Sequence, residues 1–123
     1  MDIAIRASEG IGGTRPQLQQ ALQVKGETHF YRGPRPRHCG ESERVFFLEH
    51  GVFHRYAIFH EYSWRQAVPG SGAQSGEAIV VRPPFVPIAP PLQAPEGFNR
   101  GRWLWRYIDR HPETVQLLRH CGL

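Results

Sequence analysis

Apolar and polar positions along the chain change period several times, and each change marks an element. "IAIRA" (Ile3 to Ala7) alternates and predicts a short strand, followed by the glycine-rich turn "EGIGG". "TRPQLQQALQVKG" switches to helical spacing: Leu18, Ala21 and Leu22 fall on one face, Thr14 with Gln17 forms a capping box, and Gly26 ends the helix. "ETHFYRG" returns to a strand, and "GPRPRHCGES" breaks it because proline fixes φ and has no N–H to donate. "RVFFLEHGVFHRYAIFHEYSW" holds two β-rich runs split at His50–Gly51, a hairpin whose second arm is long enough to bend around a small barrel.

"RQAVPGSGAQSGE" has loop composition. "AIVVRPPF" predicts a short central strand that runs into "VPIAPPLQAPEG", an extended crossing segment. "RWLWRYI" supplies a last strand and "HPETVQLLRHCGL" a closing helix, with Pro112 at its start and Gly122 past its last turn. Five or six short strands with two short helices lack the helical crossovers that a parallel α/β sheet requires. The expected fold is therefore α+β: a single domain over residues 1–123 built as a small, curved, mostly antiparallel barrel.

Composition narrows the class. A chain of 123 residues with 11 prolines and 13 glycines suits one loop-rich, strand-leaning domain. No apolar run reaches the roughly 20 residues of a membrane span. "MDIAIRASEG" lacks a basic stretch leading into an apolar one, so no secretory signal is expected. Cys39 and Cys121 are too few and too far apart for a disulfide framework or zinc knuckle, which points to free thiols in the cytosol. The net charge of +4 attracts anions, and fourteen of the fifteen basic residues are arginine, Lys25 being the exception. Arginine grips phosphate with two parallel donors and stacks on flat rings.

The densest chemistry is "GFNRGRWLWRYI", residues 97 to 108. In a regular strand Trp103, Trp105 and Tyr107 face one way, and Arg102, Leu104, Arg106 and Ile108 the other. The aromatic face is then either core or the lining of a cleft on which bases stack. "YRGPRPRH" adds Tyr31, Arg32, Arg35, Arg37 and His38 on a proline-stiffened link, either a solvated loop or a phosphate-contacting rim. Metal chemistry is not expected: His54 and His60 are about 20 Å apart along a strand, and HExxH and CxxC patterns are absent. "GSG" at Gly70 to Gly72 lacks the spacing of a nucleophile elbow, and Cys39 beside His38 and Glu41 lies on an extended loop.

Three pieces carry a family likeness: "KGETHFYRGPRPRHCGESERVFFLEHGVFHRYAIF", "SGEAIVVRPPFVPIAPPL" and "GFNRGRWLWRYI". Together they span about residues 24 to 108, and their order resembles the PUA-like superfamily, in particular its ASCH and EVE branches. The resemblance implies a pseudo-barrel with a cleft that binds RNA or a modified base. Catalytic ASCH proteins carry a glycine followed by Lys-Thr-any-Glu-any-Arg. This chain keeps Gly26, Thr28 and Arg32, but has Glu27 at the lysine position and Phe30 at the glutamate position.

The leading expectation is thus a nucleic-acid or nucleotide-binding module, for RNA, single-stranded DNA or a nucleotide-like ligand, without catalytic residues, cofactor or metal. Its cleft would be lined by Tyr31, Arg32, Trp64, Arg65 and Trp103, with Arg35, Arg37, Arg100, Arg102 and Arg106 as a basic rim. Two alternatives stay open: an ASCH-type hydrolase or ribonuclease with relocated groups around Lys25, Glu27 and His29, and a protein-interaction domain using the ledge "PPFVPIAPPL".

Overall fold

The computed structural model describes residues 1–6, 29–66 and 75–123, with the backbone alone at 29–32. The helix expected at 14–26 and most of the loop after Arg65 lie outside the described residues. Among the described residues, six strands form one mixed sheet: β1 (Ile3–Arg6), β2 (His29–Arg32), β3 (Arg44–Glu49), β4 (Val52–Arg65), β5 (Gly76–Gln93) and β6 (Trp105–Tyr107). Their spatial order is β2-β5-β4-β3-β1-β6. Every pairing is antiparallel except β1 with β3, so the α+β, mostly antiparallel expectation holds.

β3 and β4 form the expected hairpin. His50 (φ 51) and Gly51 (φ 77) both take positive φ, the two-residue turn whose twist matches the strands it joins. A Cβ on Gly51 would also stand 3.1 Å from Asn99 Nδ2. The register slips where Phe47 pairs with Arg55 and Leu48 with Phe53, leaving His54 in a bulge. That extra residue reverses which face the strand presents.

β5 departs most from its sequence pattern. Instead of a short strand plus a crossing segment, it pairs with β4 from Gly76 to Gln93, straight through the prolines. Its other neighbour, β2, pairs with it along Ala78–Val81, so among the described residues the prolines beyond Val81 have a ladder partner on one side alone. Proline is tolerated on such an edge, and its missing N–H keeps further strands from adding there.

Two cores lie on opposite faces of the sheet. The inner one joins Ile3, Ile5, Val45, Phe47, Ala57, Phe59, Ile79, Val81, Cys39 and Tyr107. The outer one joins Ala4, Phe46, Leu48, Phe53 and Ile88 to Phe98 of the short helix α1 (Glu96–Asn99), to Ile108 in the 3-10 turn Ile108–Arg110, and to Leu118 of α2 (Pro112–His120). The closing helix is as expected: Pro112 opens it, the His111 ring accepts from Thr114 N, and Gly122 follows at φ 79. Asp2 locks the parallel pair, accepting from the backbone N of Arg44 at 2.8 Å and from its side chain.

Hydrogen-bonded closure into a barrel is not formed among the described residues; β2 and β6 remain the two edges of an open sheet. The sheet nonetheless curls enough for the segment leaving β2 to touch β6. Trp105 Nε1 donates to Pro34 O at 2.6 Å, and the Tyr62 hydroxyl donates to Gly33 O at 2.7 Å. A Cβ on Gly33 would stand 3.2 Å from Trp105 Cδ1, so a larger residue here would press on the indole.

Candidate nucleic-acid interface at the β6 edge

"RWLWRYI" does not make one long strand. Gly101 takes φ 89, Trp103 Nε1 donates to Arg100 O at 3.2 Å, and only Trp105–Tyr107 joins the ladder. Simple alternation therefore fails at Trp103. Trp105 packs with Tyr107 against the inner core, whereas Trp103 packs against the outer core through Phe98, at a centroid distance of 5.5 Å.

An open cleft of about 330 Å³ lies along β6, lined by Trp105, Arg106, Tyr107 and Arg110. Its aromatic wall is set by an edge-to-face pair, Trp105 on Tyr107 at 4.9 Å, a geometry favoured by the ring quadrupoles. Arg110 stands with its Cζ 4.6 Å over the Tyr107 ring. The loop from Gly33 to Gly40 is fastened beside this wall, because the backbone N of His38 donates to the Tyr107 hydroxyl at 2.9 Å in addition to the Trp105–Pro34 bond. β6 itself hangs on β1 through Arg6 N to Leu104 O and Ile108 N to Asp2 O.

Charge is distributed unevenly around this edge. Arg44, Arg55, Arg65, Arg82 and Arg100 each pair with a carboxylate, of Asp2, Glu49, Glu61, Glu41 and Glu96 respectively. Among the described residues, the arginines without a carboxylate partner are Arg6, Arg35, Arg37, Arg102, Arg106, Arg110 and Arg119. All but Arg119 sit on β6, on its flanks, on its neighbour β1, or on the loop fastened to it. The cleft can thus offer flat rings and guanidinium donors together, and its lining holds no carboxylate, imidazole or thiol.

The residues expected from the sequence divide into groups. Arg35 and Arg37 are exposed on the fastened loop, and Arg102 is exposed on the turn before β6. Trp103 lies on the outer side of β6, and Arg106 borders the cleft while its guanidinium turns to the same outer side, with Cζ 4.7 Å over Phe98 and Nη1 donating to Phe98 O at 2.8 Å. Arg100 is spanned by Glu96 at 3.0 Å. Trp64 and Arg65 end β4, on the far side of β3 and β1 from β6; Trp64 is 54% exposed, and Arg65 is committed to Glu61 and Ser63. Tyr31 and Arg32 lie on edge strand β2, described by its backbone. Lys25 and Glu27 fall outside the described residues, and His29 begins β2.

The sequence offers Trp105 and Tyr107 as cleft lining only as one of two readings of the aromatic face, and it leaves Arg110 out altogether. Arg110 is findable, since i and i+3 eclipse in a 3-10 turn and Arg110 follows Tyr107 by three. Nothing in the sequence marks Arg6, which β1 alone brings alongside Trp103. Burial, and then the nearby positive charge of Arg106, hold the Arg6 guanidinium below its ordinary pKa. Burial chiefly, aided by the Glu43 carboxylate, pushes the Cys39 thiol up to about 12.

No group of His, Cys, Asp and Glu among the described residues is placed to hold a metal ion. No described helix is long and apolar enough to cross a membrane. The chain matches no protein-family model, and comparisons with curated proteins and with solved structures return no match.

Proposed function

We propose that this chain is a PUA-like pseudo-barrel module of the cytosol that binds RNA, single-stranded DNA or a nucleotide-like ligand, with a base entering the β6 cleft. The observation that carries the reading is the gathering of carboxylate-free arginines around an aromatic wall. Among the described residues, the arginines elsewhere are neutralised by carboxylates except Arg119, whereas those around Trp105 and Tyr107 await an anion. Aromatic rings take the base and guanidiniums the phosphate, the usual division of labour in single-strand recognition. The approach of the two sheet edges at Trp105 and Pro34 supports the pseudo-barrel part, and the unpaired Cys39 and Cys121 fit a reducing compartment.

The test is equilibrium binding of the full chain to a short single-stranded RNA, followed by fluorescence anisotropy over a range of salt. Saturable binding is expected, weakened by Arg110→Ala and by Arg35→Ala with Arg37→Ala. A wild-type chain that gives no saturable binding at low salt overturns the proposal, as does a triple variant with unchanged affinity.

A further inference from the structure

Next to the cleft, around Trp103, lies a second concentration of positive charge that shares Arg106 with it. Arg6 and Arg106 share the Trp103 indole, with their Cζ atoms 4.1 and 5.7 Å from its centroid. Backbone carbonyls orient all three side chains. Arg6 donates to Asn99 O and to Gly101 O, Arg106 to Phe98 O, and Trp103 to Arg100 O. The carbonyls of four successive residues are therefore turned towards three side chains. At the exposed tip of the same turn are Gly101 and Arg102, whose backbone N–H groups meet no acceptor among the described residues.

Carbonyl dipoles orient a guanidinium but do not cancel its charge. One cation suffices to cover an indole face. A second at the same ring adds like-charge repulsion that burial makes worse, as the lowered Arg6 pKa records. An anion seated beside both would turn that repulsion into attraction, and Arg102 with the free N–H groups of the tip supplies donors on the solvent side.

We propose that the Arg6–Trp103–Arg106 stack and the Arg102 tip form a binding site for a phosphate group, centred on Trp103 and meeting the cleft only at Arg106, which borders both. The site stands whether or not the cleft takes a base. It suits either a free phosphate compound or a phosphate of a nucleic-acid backbone.

The experiment is calorimetric titration of the full chain with inorganic pyrophosphate, at an ionic strength held constant with potassium chloride. Saturable binding is expected, weakened about tenfold by Arg102→Ala, an exposed residue, and by at least as much in Arg106→Gln. Arg106→Lys, which keeps the charge, recovers part of the loss, and Arg110→Ala in the cleft leaves the affinity unchanged. Displacement of pyrophosphate by a single-stranded RNA assigns the site to backbone phosphates; failure to displace it assigns the site to a free phosphate compound. Heats that do not saturate overturn the proposal. So do equal affinities in wild type, Arg102→Ala and Arg106→Gln, or loss of binding in Arg110→Ala.

Discussion

The indole N–H of Trp105 reaches the carbonyl of Pro34 at 2.6 Å, joining the last strand to the loop that leaves the second. These two strands are the outer edges of the sheet, so this bond spans the gap that the backbone ladder leaves open. It also fixes where Arg35 and Arg37 stand relative to the cleft. Trp105→Phe keeps most of the packing and removes the donor, leaving Pro34 O without its partner. The expected loss is about 1 kcal/mol, measured by urea denaturation, with faster amide exchange confined to the loop.

Salt dependence reports the loop's part in binding. If Arg35 and Arg37 meet phosphates of a single strand, replacing both by alanine lowers the slope of log K against log salt by about 0.7 for each phosphate no longer neutralised. Anisotropy titrations at four or five salt concentrations check this. Arg65→Ala, which breaks a pair already satisfied by Glu61, leaves the slope unchanged.

That same pair has a pH signature. The Glu61 carboxyl is held below its ordinary value of 4.5, first by the hydrogen bond from Arg65 and then by that from Ser63. A carboxyl depressed in the folded state stabilises fully above its unfolded value, and that contribution disappears as pH falls through the folded value. Carboxyl NMR titration is expected to place the Glu61 midpoint below 4.5 in the wild type and higher in Arg65→Ala.

The two thiols differ in reactivity. Cys39 is buried in the inner core with its pKa pushed up to about 12, whereas Cys121 is exposed after α2. Ellman's reagent at pH 8 is expected to modify Cys121 promptly and Cys39 only as fast as the fold opens. Cys121→Ser then removes the fast phase alone.

The β3–β4 turn offers a stabilising change. His50 holds φ 51 in a position where asparagine is better tolerated, so His50→Asn is expected to raise stability by about 0.5 kcal/mol. Gly51→Ala does the opposite, by about 1 kcal/mol, because φ 77 and the nearby Asn99 both resist a Cβ. Urea midpoints of the two variants, moving in opposite directions, check both.

Local chemistry determined a good part of the architecture. The β3–β4 hairpin follows from two β-branched and aromatic runs around His50–Gly51, and the closing helix from Pro112 and Gly122, because these signals act within a few residues of chain. Tertiary structure alone decided the rest. β5 continues through its prolines because beyond Val81 its one ladder partner among the described residues is β4, and the parallel union of β1 with β3 depends on partners far apart in sequence. Trp103 left the face of Trp105 because a turn at Gly101 replaced the alternation that a strand would impose. The gathering of unpaired arginines at β6 was equally hidden, since which guanidinium finds a carboxylate depends on pairing across the sheet rather than on order along the chain.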